Sequence, residues 1–329
     1  MYRKSNVLVA TLFLLALLLA GCGQSSEGGS TTDVGNGGSG GGTTVAATFP
    51  VTIKDSLGRS VEIEAEPERI GSMVPSVTET IFAVGAGNRV VGVSTADDYP
   101  PEVESIEKIG DYQQVNAEKI ASLETDLLFL SFDSTTKEQA RDLENKTGAK
   151  VLVINPTTVE AAIQSVGTVG NAVGNPEKAR VVEERLQSGL NQLQTEIEGL
   201  PQPTVFYEIG YDPLFTVGPG SFINDAIEIA GGNNVASDAQ QAYPQYSVEK
   251  LLEDDPEYYL AGKSSGVTVE DIKNRQPYSS LQAVQQDRVF VINDNLVNRP
   301  GPRIVQGVRL IAETIHPDTF GGGETTSGG

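Results

Sequence analysis

Several residue types that commonly carry chemistry are nearly absent from this 329-residue chain. It contains no tryptophan, one histidine (His316) and one cysteine (Cys22). A single cysteine cannot form an internal disulfide. Without a second histidine or a further cysteine, Ser/His and Cys/His nucleophilic sites and zinc sites are not expected. The many carboxylates are spread over predicted helix faces. The sequence therefore favours a binding protein with no catalytic residues and no metal site, and not an enzyme.

Positive charge is also scarce. The chain has 23 basic and 44 acidic residues, which gives a formal net charge of −21. Binding of nucleic acid requires a basic face, so nucleic acid is not expected as a partner. His316 stands beside Pro317 at the end of the last predicted helix, where the helix dipole favours a cation. We interpret it as structural.

The first apolar run, from Val7 to Ala20, is too short to span a bilayer comfortably and follows Arg3 and Lys4, as in a signal peptide. It leads into Leu19-Ala20-Gly21-Cys22, which resembles the lipobox of bacterial lipoproteins. That resemblance implies a signal peptide over residues 1–21 and a lipid on Cys22, which would hold an extracytoplasmic protein on the cell membrane. A plain secreted protein is the alternative.

Composition divides the rest of the chain into tether, lobes and tail. Residues 22–48 and 321–329 are rich in Gly, Ser and Thr, and such segments behave as flexible tethers. The length between them is sufficient for two lobes with substantial cores. We predict an N-terminal lobe at 49–158, connecting helices at 159–200 and a C-terminal lobe at 201–320.

Strand and helix patterns alternate through both predicted lobes. Two short alternating runs at 51–53 and 61–64 predict a hairpin. Ser76-Val77-Thr78-Glu79 predicts a capping box that begins a helix. The alternation then restarts after Pro203. This order predicts an α/β fold with mostly parallel central sheets covered on both faces.

One long helical segment lies between the two halves. Apolar residues recur every three or four positions from 177 to 199, after Pro176 and before Pro201. We interpret the segment as a rigid helix that joins two lobes. An ordinary helix packed inside one lobe is the alternative.

The two halves also share a local pattern. Asn116-Ala117-Glu118-Lys119 and Ser247-Val248-Glu249-Lys250 each combine a helix cap, an acid and a lysine just before a predicted strand. Glu118 and Glu249 are each second in their helices, where the helix dipole stabilises a carboxylate. Their matching positions also indicate one anionic docking point per lobe for a cationic partner surface.

Aromatic residues mark a candidate binding cleft. In open α/β sheets, ligands bind beyond the carboxyl ends of the strands. Tyrosine rings there suit a large, ringed, partly polar ligand, although each ring alone could equally be loop packing. The aromatic residues at predicted loops or strand ends are Tyr99, Tyr112, Tyr207, Tyr211, Phe215, Tyr243 and Tyr246.

From Pro67 to about Pro317, the chain resembles the helical-backbone (class III) solute-binding lipoproteins of ABC importers for vitamin B12, ferric siderophores and haem. The segments at 68–79 and 299–304 are similar to that family's first strand and helix and to its last loop and helix. The resemblance implies two lobes joined by one rigid helix, with the ligand cleft between them. It also implies a monomer that delivers its ligand to a permease dimer with ATPase subunits.

Three segments, at 98–101, 112–118 and 243–249, are most similar to the vitamin B12-binding members. The resemblance implies that Glu118 and Glu249 dock on the permease. The ligand-binding residues that it implies, together with Tyr99 of the first segment, are Ser76, Tyr99, Tyr112, Phe215, Tyr243, Asp294 and Arg299. Asn295 is the alternative to Asp294 as the match to an acidic cleft residue.

The sequence departs from the vitamin B12 pattern in two ways. Tyr112 and Tyr243 stand where tryptophan is expected, and Ala96 stands where a tyrosine is expected. A siderophore site would need several arginines, whereas only Arg299 and Arg303 qualify here. A cobalt corrinoid is therefore the preferred transported ligand and an iron chelate, either a ferric siderophore or haem, is the alternative; no permanently bound cofactor is expected.

Overall fold

A computed structural model describes residues 48–111, 114–131 and 135–321. The predicted signal peptide, Cys22, Tyr112 and nearly all of the predicted tether and tail lie outside these residues. Within the described ranges, no helix is both long enough and apolar enough to cross a membrane.

The folded part begins with the predicted hairpin. Strands β1 (Val51–Lys54) and β2 (Ser60–Ile63) pair antiparallel, with Val51 opposite Ile63. The Asp55 carboxylate closes the turn, because Oδ1 accepts hydrogen bonds from the backbone N–H groups of Leu57 (3.0 Å) and Arg59 (2.8 Å).

The N-terminal lobe is built on a five-stranded sheet in which all strands are parallel, in the order β5-β4-β3-β6-β7. Its strands are β3 (Ile70–Ser72), β4 (Val90–Ser94), β5 (Glu107–Gly110), β6 (Leu127–Leu130) and β7 (Lys150–Val153). The helices of this part of the chain are α1 (Pro75–Ala83), α2 (Ala117–Ser122), α3 (Lys137–Thr147), α4 (Val159–Ala172) and α5 (Pro176–Ile197).

The start of α1 differs from the prediction. The helix begins at Pro75, the N-cap is Val74, and no side chain caps it. Proline suits the first helical position because its missing N–H would be unpaired there in any case. The predicted capping box at Ser76–Glu79 is therefore wrong. Both residues lie inside the helix and are buried.

The C-terminal lobe has a second sheet in the order β10-β8-β11-β12, all parallel, with β9 antiparallel to β8. Its strands are β8 (Thr204–Tyr211), β9 (Leu214–Thr216), β10 (Asn233–Asn234), β11 (Tyr258–Gly262) and β12 (Val289–Ile292). The helices of this part are α6 (Phe222–Ile229), α7 (Val248–Asp254), α8 (Val269–Lys273), α9 (Gln282–Gln285), α10 (Asp294–Val297), α11 (Ile304–Ile315) and α12 (Pro317–Phe320).

Helix α5 contacts both lobes. Near its start, the Asn175 side chain donates to the carbonyl oxygen of Val84 (2.9 Å), just after α1. Near its end, Glu196 pairs with Arg309 of α11 (2.8 Å). The largest apolar core contains Leu186 and Leu190 of α5 together with buried residues of both sheets. The predicted two-lobed α/β fold with one long connecting helix is confirmed.

His316 does not match the predicted helix-end cation. Its side chain is buried behind α11, and this burial lowers its pKa. Among the described residues, its Nε2 atom has no hydrogen-bond partner. The neutral imidazole is therefore favoured, because burial penalises the charged form.

Candidate ligand-binding cleft

The carboxyl ends of the two sheets face each other. Gly301, in the segment that follows β12 and α10, packs against Ser76 at the start of α1, directly beyond β3. A Cβ atom on Gly301 would lie 2.9 Å from the Ser76 carbonyl oxygen, so only glycine fits this approach. In each sheet a reversal of strand order, β3 beside β6 and β8 beside β11, also opens at this edge. Ligands of open α/β sheets bind at such reversals.

Two arginines cross from the C-terminal lobe to Glu79 of α1. Arg303 binds this carboxylate with two hydrogen bonds of 2.8 Å and 2.6 Å, and Arg299 Nη1 lies 3.2 Å from Oε1. The Glu79 side chain is only 2% exposed. Such bidentate pairs fix geometry as well as charge.

Asp98, in the loop after β4, is the second carboxylate at this edge. It accepts hydrogen bonds from Arg299 Nη1 (2.6 Å) and Asn295 Nδ2 (3.0 Å). We call Glu79, Asp98, Arg299 and Arg303 the inter-lobe ion network. Tyr99 adjoins the network, since the Arg303 guanidinium lies 4.1 Å from the centre of its ring.

The pKa shifts in the network favour the charged forms. Burial alone would raise the pKa of Asp98, but its hydrogen bond and charge interaction with Arg299 prevail and lower it. Burial alone would lower the pKa of Arg299, but Asp98 and Glu79 prevail and raise it. The neighbouring Asp97 behaves differently. Its side chain is buried, and burial raises its pKa although Ser94 donates to it from both N–H (2.9 Å) and Oγ (2.5 Å).

Aromatic residues of the C-terminal lobe lie on or next to strands β8 and β9. Phe215 lies on β9 opposite Gly210 and forms a bridge to Gln245, which brings the segment of Tyr243 beside it. Tyr243 is 50% exposed and Tyr211 is 43% exposed.

The predicted binding residues differ in how accessible they are. Tyr99 and Tyr243 are exposed and Arg299 belongs to the inter-lobe ion network, while Ser76 is buried under Gly301. The carboxylate of Asp294 is also buried, where it accepts hydrogen bonds from the N–H (3.0 Å) and the hydroxyl of Ser264. Its neighbour Asn295 instead reaches Asp98 across the cleft. Tyr112 lies outside the described residues.

The predicted docking glutamates occupy equivalent places in the two lobes. The Asn116 side chain caps α2 by accepting from the Lys119 N–H (3.0 Å), and Ser247 caps α7 in the same way from Lys250 (3.0 Å). Glu118 and Glu249 are exposed on these helices.

The following lysines are held by other carboxylates. Lys119 pairs with Glu107, and Lys250 pairs with Asp254 (2.8 Å). In the part of the chain that the structure describes, neither Glu118 nor Glu249 forms an ion pair, so their charge is available to a partner.

The sequence patterns did not identify Glu79 as a residue that joins the two lobes. Glu79 resembled the acid of a capping box, and its partners are more than 200 residues away along the chain. Tyr211 was among the aromatic residues at loops or strand ends that the sequence assigns to a candidate cleft, and it lies at the end of β8. No group of three or more His, Cys, Asp or Glu side chains suitable for a metal ion occurs within the described ranges.

Comparison with known proteins agrees with this architecture. The chain belongs to the periplasmic binding protein family, whose model matches residues 70–296. This membership confirms the predicted class, an extracytoplasmic solute-binding protein of an ABC importer and not an enzyme.

One relative and two solved structures illustrate the range of the family. The uncharacterised ABC transporter substrate-binding lipoprotein YvrC of Bacillus subtilis is 34% identical over 97% of this chain and 99% of its own. The periplasmic vitamin B12 binding protein BtuF of Vibrio cholerae is 26% identical, with a TM-score of 0.67 over 76% of this chain and 97% of BtuF. The periplasmic heme-binding protein RhuT of Roseiflexus is 24% identical, with a TM-score of 0.70 over 77% and 99%, and shares the fold alone.

Proposed function

We propose that this protein captures a cobalt corrinoid of the vitamin B12 type and delivers it to an ABC importer permease. The observation that carries the proposal is a charge-balanced ion network at the edge where the lobes meet, with the exposed Tyr99 ring against it and further exposed tyrosine rings in the C-terminal lobe. The rings of Tyr99, Tyr211 and Tyr243 offer apolar faces, each with one hydroxyl group.

The charge balance bears on the class of ligand. Arg299 and Arg303 carry two positive charges, and Glu79 and Asp98 carry two negative charges. An anionic ferric siderophore, or the propionates of haem, would have to displace Asp98 before it could bind Arg299. A corrinoid bears neutral amide side chains, which can exchange hydrogen bonds with Asp98 and Asn295 without breaking the network. The similarity to BtuF supports the same class.

Iron chelates remain the second candidate. The two arginines at the cleft favour it. Tyr243 in place of tryptophan and Ala96 in place of tyrosine also separate this cleft from the vitamin B12 pattern. Loss of the Asp98 contact would free Arg299 for a carboxylate or hydroxamate oxygen.

A panel of ligands tests the proposal. Protein lacking residues 1–22 is titrated with cyanocobalamin, haemin and a ferric hydroxamate, and binding is followed by visible absorption and calorimetry. We expect saturable binding of cyanocobalamin with one ligand per protein. Binding of only the haemin or the hydroxamate would replace the corrinoid with an iron chelate. Binding of none would exclude both.

Glu118 and Glu249 complete the proposal as the docking points on the permease. Both are exposed on capped helices, one per lobe, and both adjacent lysines are engaged elsewhere. Charge pairs at an interface rim set orientation and association rate. Two carboxylates on two similar lobes suit a permease dimer with one basic site on each subunit.

A lipid on Cys22 forms the membrane attachment in this proposal. The sequence around Cys22 and the lipoprotein name of YvrC support it. Cys22→Ser is expected to release the full-length protein from the membrane fraction and to abolish the added acyl mass in mass spectrometry. Retention of both in the variant would exclude this attachment.

A further inference from the structure

Strand β8 extends beyond the sheet to which it belongs. Its parallel pairing with β11 ends at Glu208, opposite Ala261, while the strand itself continues to Tyr211. Residues 209–211, which we call the β8 overhang, pair only with β9. The overhang projects from the carboxyl end of the sheet, the edge at which the lobes meet. Two of its side chains are exposed and largely apolar, Ile209 at 37% and Tyr211 at 43%.

Two neighbouring side chains hold the ring of Tyr211 in place and leave part of it exposed. The Arg275 guanidinium lies 3.7 Å from the ring centre and covers one face. Tyr278 meets the ring edge-on, with 6.3 Å between centroids and an angle of 89°. With one face and one edge covered, the exposed part of the side chain is the opposite face.

Arg275 is itself fixed by a buried carboxylate. Glu208 binds it through two hydrogen bonds, Nη1 to Oε2 at 2.5 Å and Nη2 to Oε1 at 3.1 Å. The Tyr259 hydroxyl also donates to Glu208. The Glu208 and Arg275 side chains are 3% and 9% exposed. A buried ion pair often contributes little net stability, because two charges must leave water. Its geometric role, a rigid support under an exposed ring, is therefore the more informative one.

We infer that Tyr211 is a ligand-contacting residue of the cleft and that Arg275 and Glu208 position its ring. The inference rests on the proposed function and specifies the ligand class further. A guanidinium on one face of a tyrosine draws on the electron density of the ring. The open face is thereby less suited to a free cation such as an ammonium group, and it remains suited to stacking on a flat conjugated ligand without net positive charge, such as cyanocobalamin.

A second arginine–tyrosine pair provides a matched control. Arg288 lies over the ring of Tyr258, 5.1 Å from its centre. Tyr258 begins β11 and Arg288 directly precedes β12, so this pair sits at the amino ends of the strands, away from the cleft. Arg288→Met thus removes a similar contact outside the proposed site.

The test measures, for each variant, the affinity for cyanocobalamin and the midpoint temperature of thermal unfolding. Tyr211→Ala is expected to weaken binding about tenfold and to leave the midpoint unchanged, because the side chain is half exposed. Tyr211→Phe keeps the ring and is expected to recover most of that loss. Arg288→Met is expected to bind like the parent protein.

A double-mutant cycle tests the positioning role. Glu208→Gln with Arg275→Met removes both charges, so neither is left unpaired in the interior. In that background, Tyr211→Ala is expected to cost much less affinity than in the parent protein. Equal losses in both backgrounds would overturn the role of Arg275 and Glu208. If the parent binds cyanocobalamin and Tyr211→Ala binds it equally well, the inference on Tyr211 is overturned while the proposed function stands. If the parent binds no corrinoid, both fall.

Discussion

The two lobes have similar parallel sheets but present different chemistry to the cleft. The N-terminal lobe contributes carboxylates, Glu79 and Asp98, from a helix and a loop that follow its strands. The C-terminal lobe contributes two arginines and a set of exposed rings. Under the proposed function, a ligand between them meets the Asp98 carboxylate and the Tyr99 ring on one side, and Arg299 and the exposed rings of the C-terminal lobe on the other. The two lobes thus share an architecture but present different chemical groups to a ligand.

The largest expected effect of a single substitution is at Glu79, where the lobes are joined by charge. Glu79→Ala leaves Arg303 and Arg299 without their shared buried partner, so the free energy of unfolding is expected to fall by about 3 kcal/mol. Urea denaturation followed by circular dichroism measures it.

The exposed pair of Arg180 and Glu184 on α5, at 2.5 Å, is the control. Glu184→Gln is expected to have no measurable effect, because exposed ion pairs are weak. Similar losses in both variants would mean that the inter-lobe ion network is no stronger than a surface pair.

Substitutions at the two proposed docking residues, Glu118 and Glu249, compare the two lobes directly. Each of Glu118→Ala and Glu249→Ala is expected to slow association with the permease to a similar degree, and the double variant is expected to slow it about tenfold at low salt. Association with permease in nanodiscs is the measurement, with ligand affinity checked in parallel.

Glu104→Ala, at an exposed carboxylate on neither docking helix, is the control for the loss of charge. The docking proposal fails if this variant slows association as much as the double variant does. High salt should reduce every difference, because exposed charges are screened.

The helix caps provide a smaller comparison. Asn116→Ala and Ser247→Ala each remove an acceptor for the N–H at the third helical position, which is expected to lower the free energy of unfolding by about 1 kcal/mol in either lobe. Denaturant titration of each variant measures this. A loss in only one lobe would mean that tertiary contacts hold the helix of the other.

The smallest expected effects concern the dependence of stability on pH, to which the neighbouring residues Asp97 and Asp98 contribute in opposite directions. The pKa of Asp98 is lowered in the folded state, so its stabilising contribution is present above its unfolded pKa and is lost as pH falls through the lower, folded value. The pKa of Asp97 is raised, so ionisation of Asp97 disfavours folding as pH rises above its unfolded value.

Stability of two single variants across pH measures these contributions. Asp98→Asn is expected to destabilise the protein at neutral pH and to have less effect in acid. Asp97→Asn is expected to be neutral or stabilising at neutral pH. If Asp97→Asn destabilised the protein more than Asp98→Asn at neutral pH, the hydrogen bonds of Asp97 with Ser94 would outweigh the cost of burying its charge.

Local sequence signals predicted the framework well. The hairpin of β1 and β2 forms as predicted, and Asn116 and Ser247 cap helices as predicted. These features depend on residues a few positions apart. The Pro75 start of α1 was missed because proline at the first helical position competed with an apparent capping box in the same segment.

The cleft was less predictable, because its contacts join distant parts of the chain. Arg299 and Glu79 are 220 residues apart, and no local pattern indicates that they meet. Phe215 was placed in a loop or at a strand end, and it lies in the middle of β9, a three-residue strand too short to show alternation. Tyr211 and Arg275 likewise become neighbours only through the overhang of β8.

The contact of α5 with both lobes has a consequence for how the rate of uptake depends on the number of receptor copies. Because the two lobes share one apolar core, ligand binding cannot cause a large change of shape that the permease could recognise. Under the proposed function, empty and loaded copies then present the same two carboxylates, and both bind the permease. Beyond a modest excess, additional receptors therefore act as competitive inhibitors of uptake. Under the proposed function, transport should pass through a maximum as receptor number rises at a fixed amount of ligand.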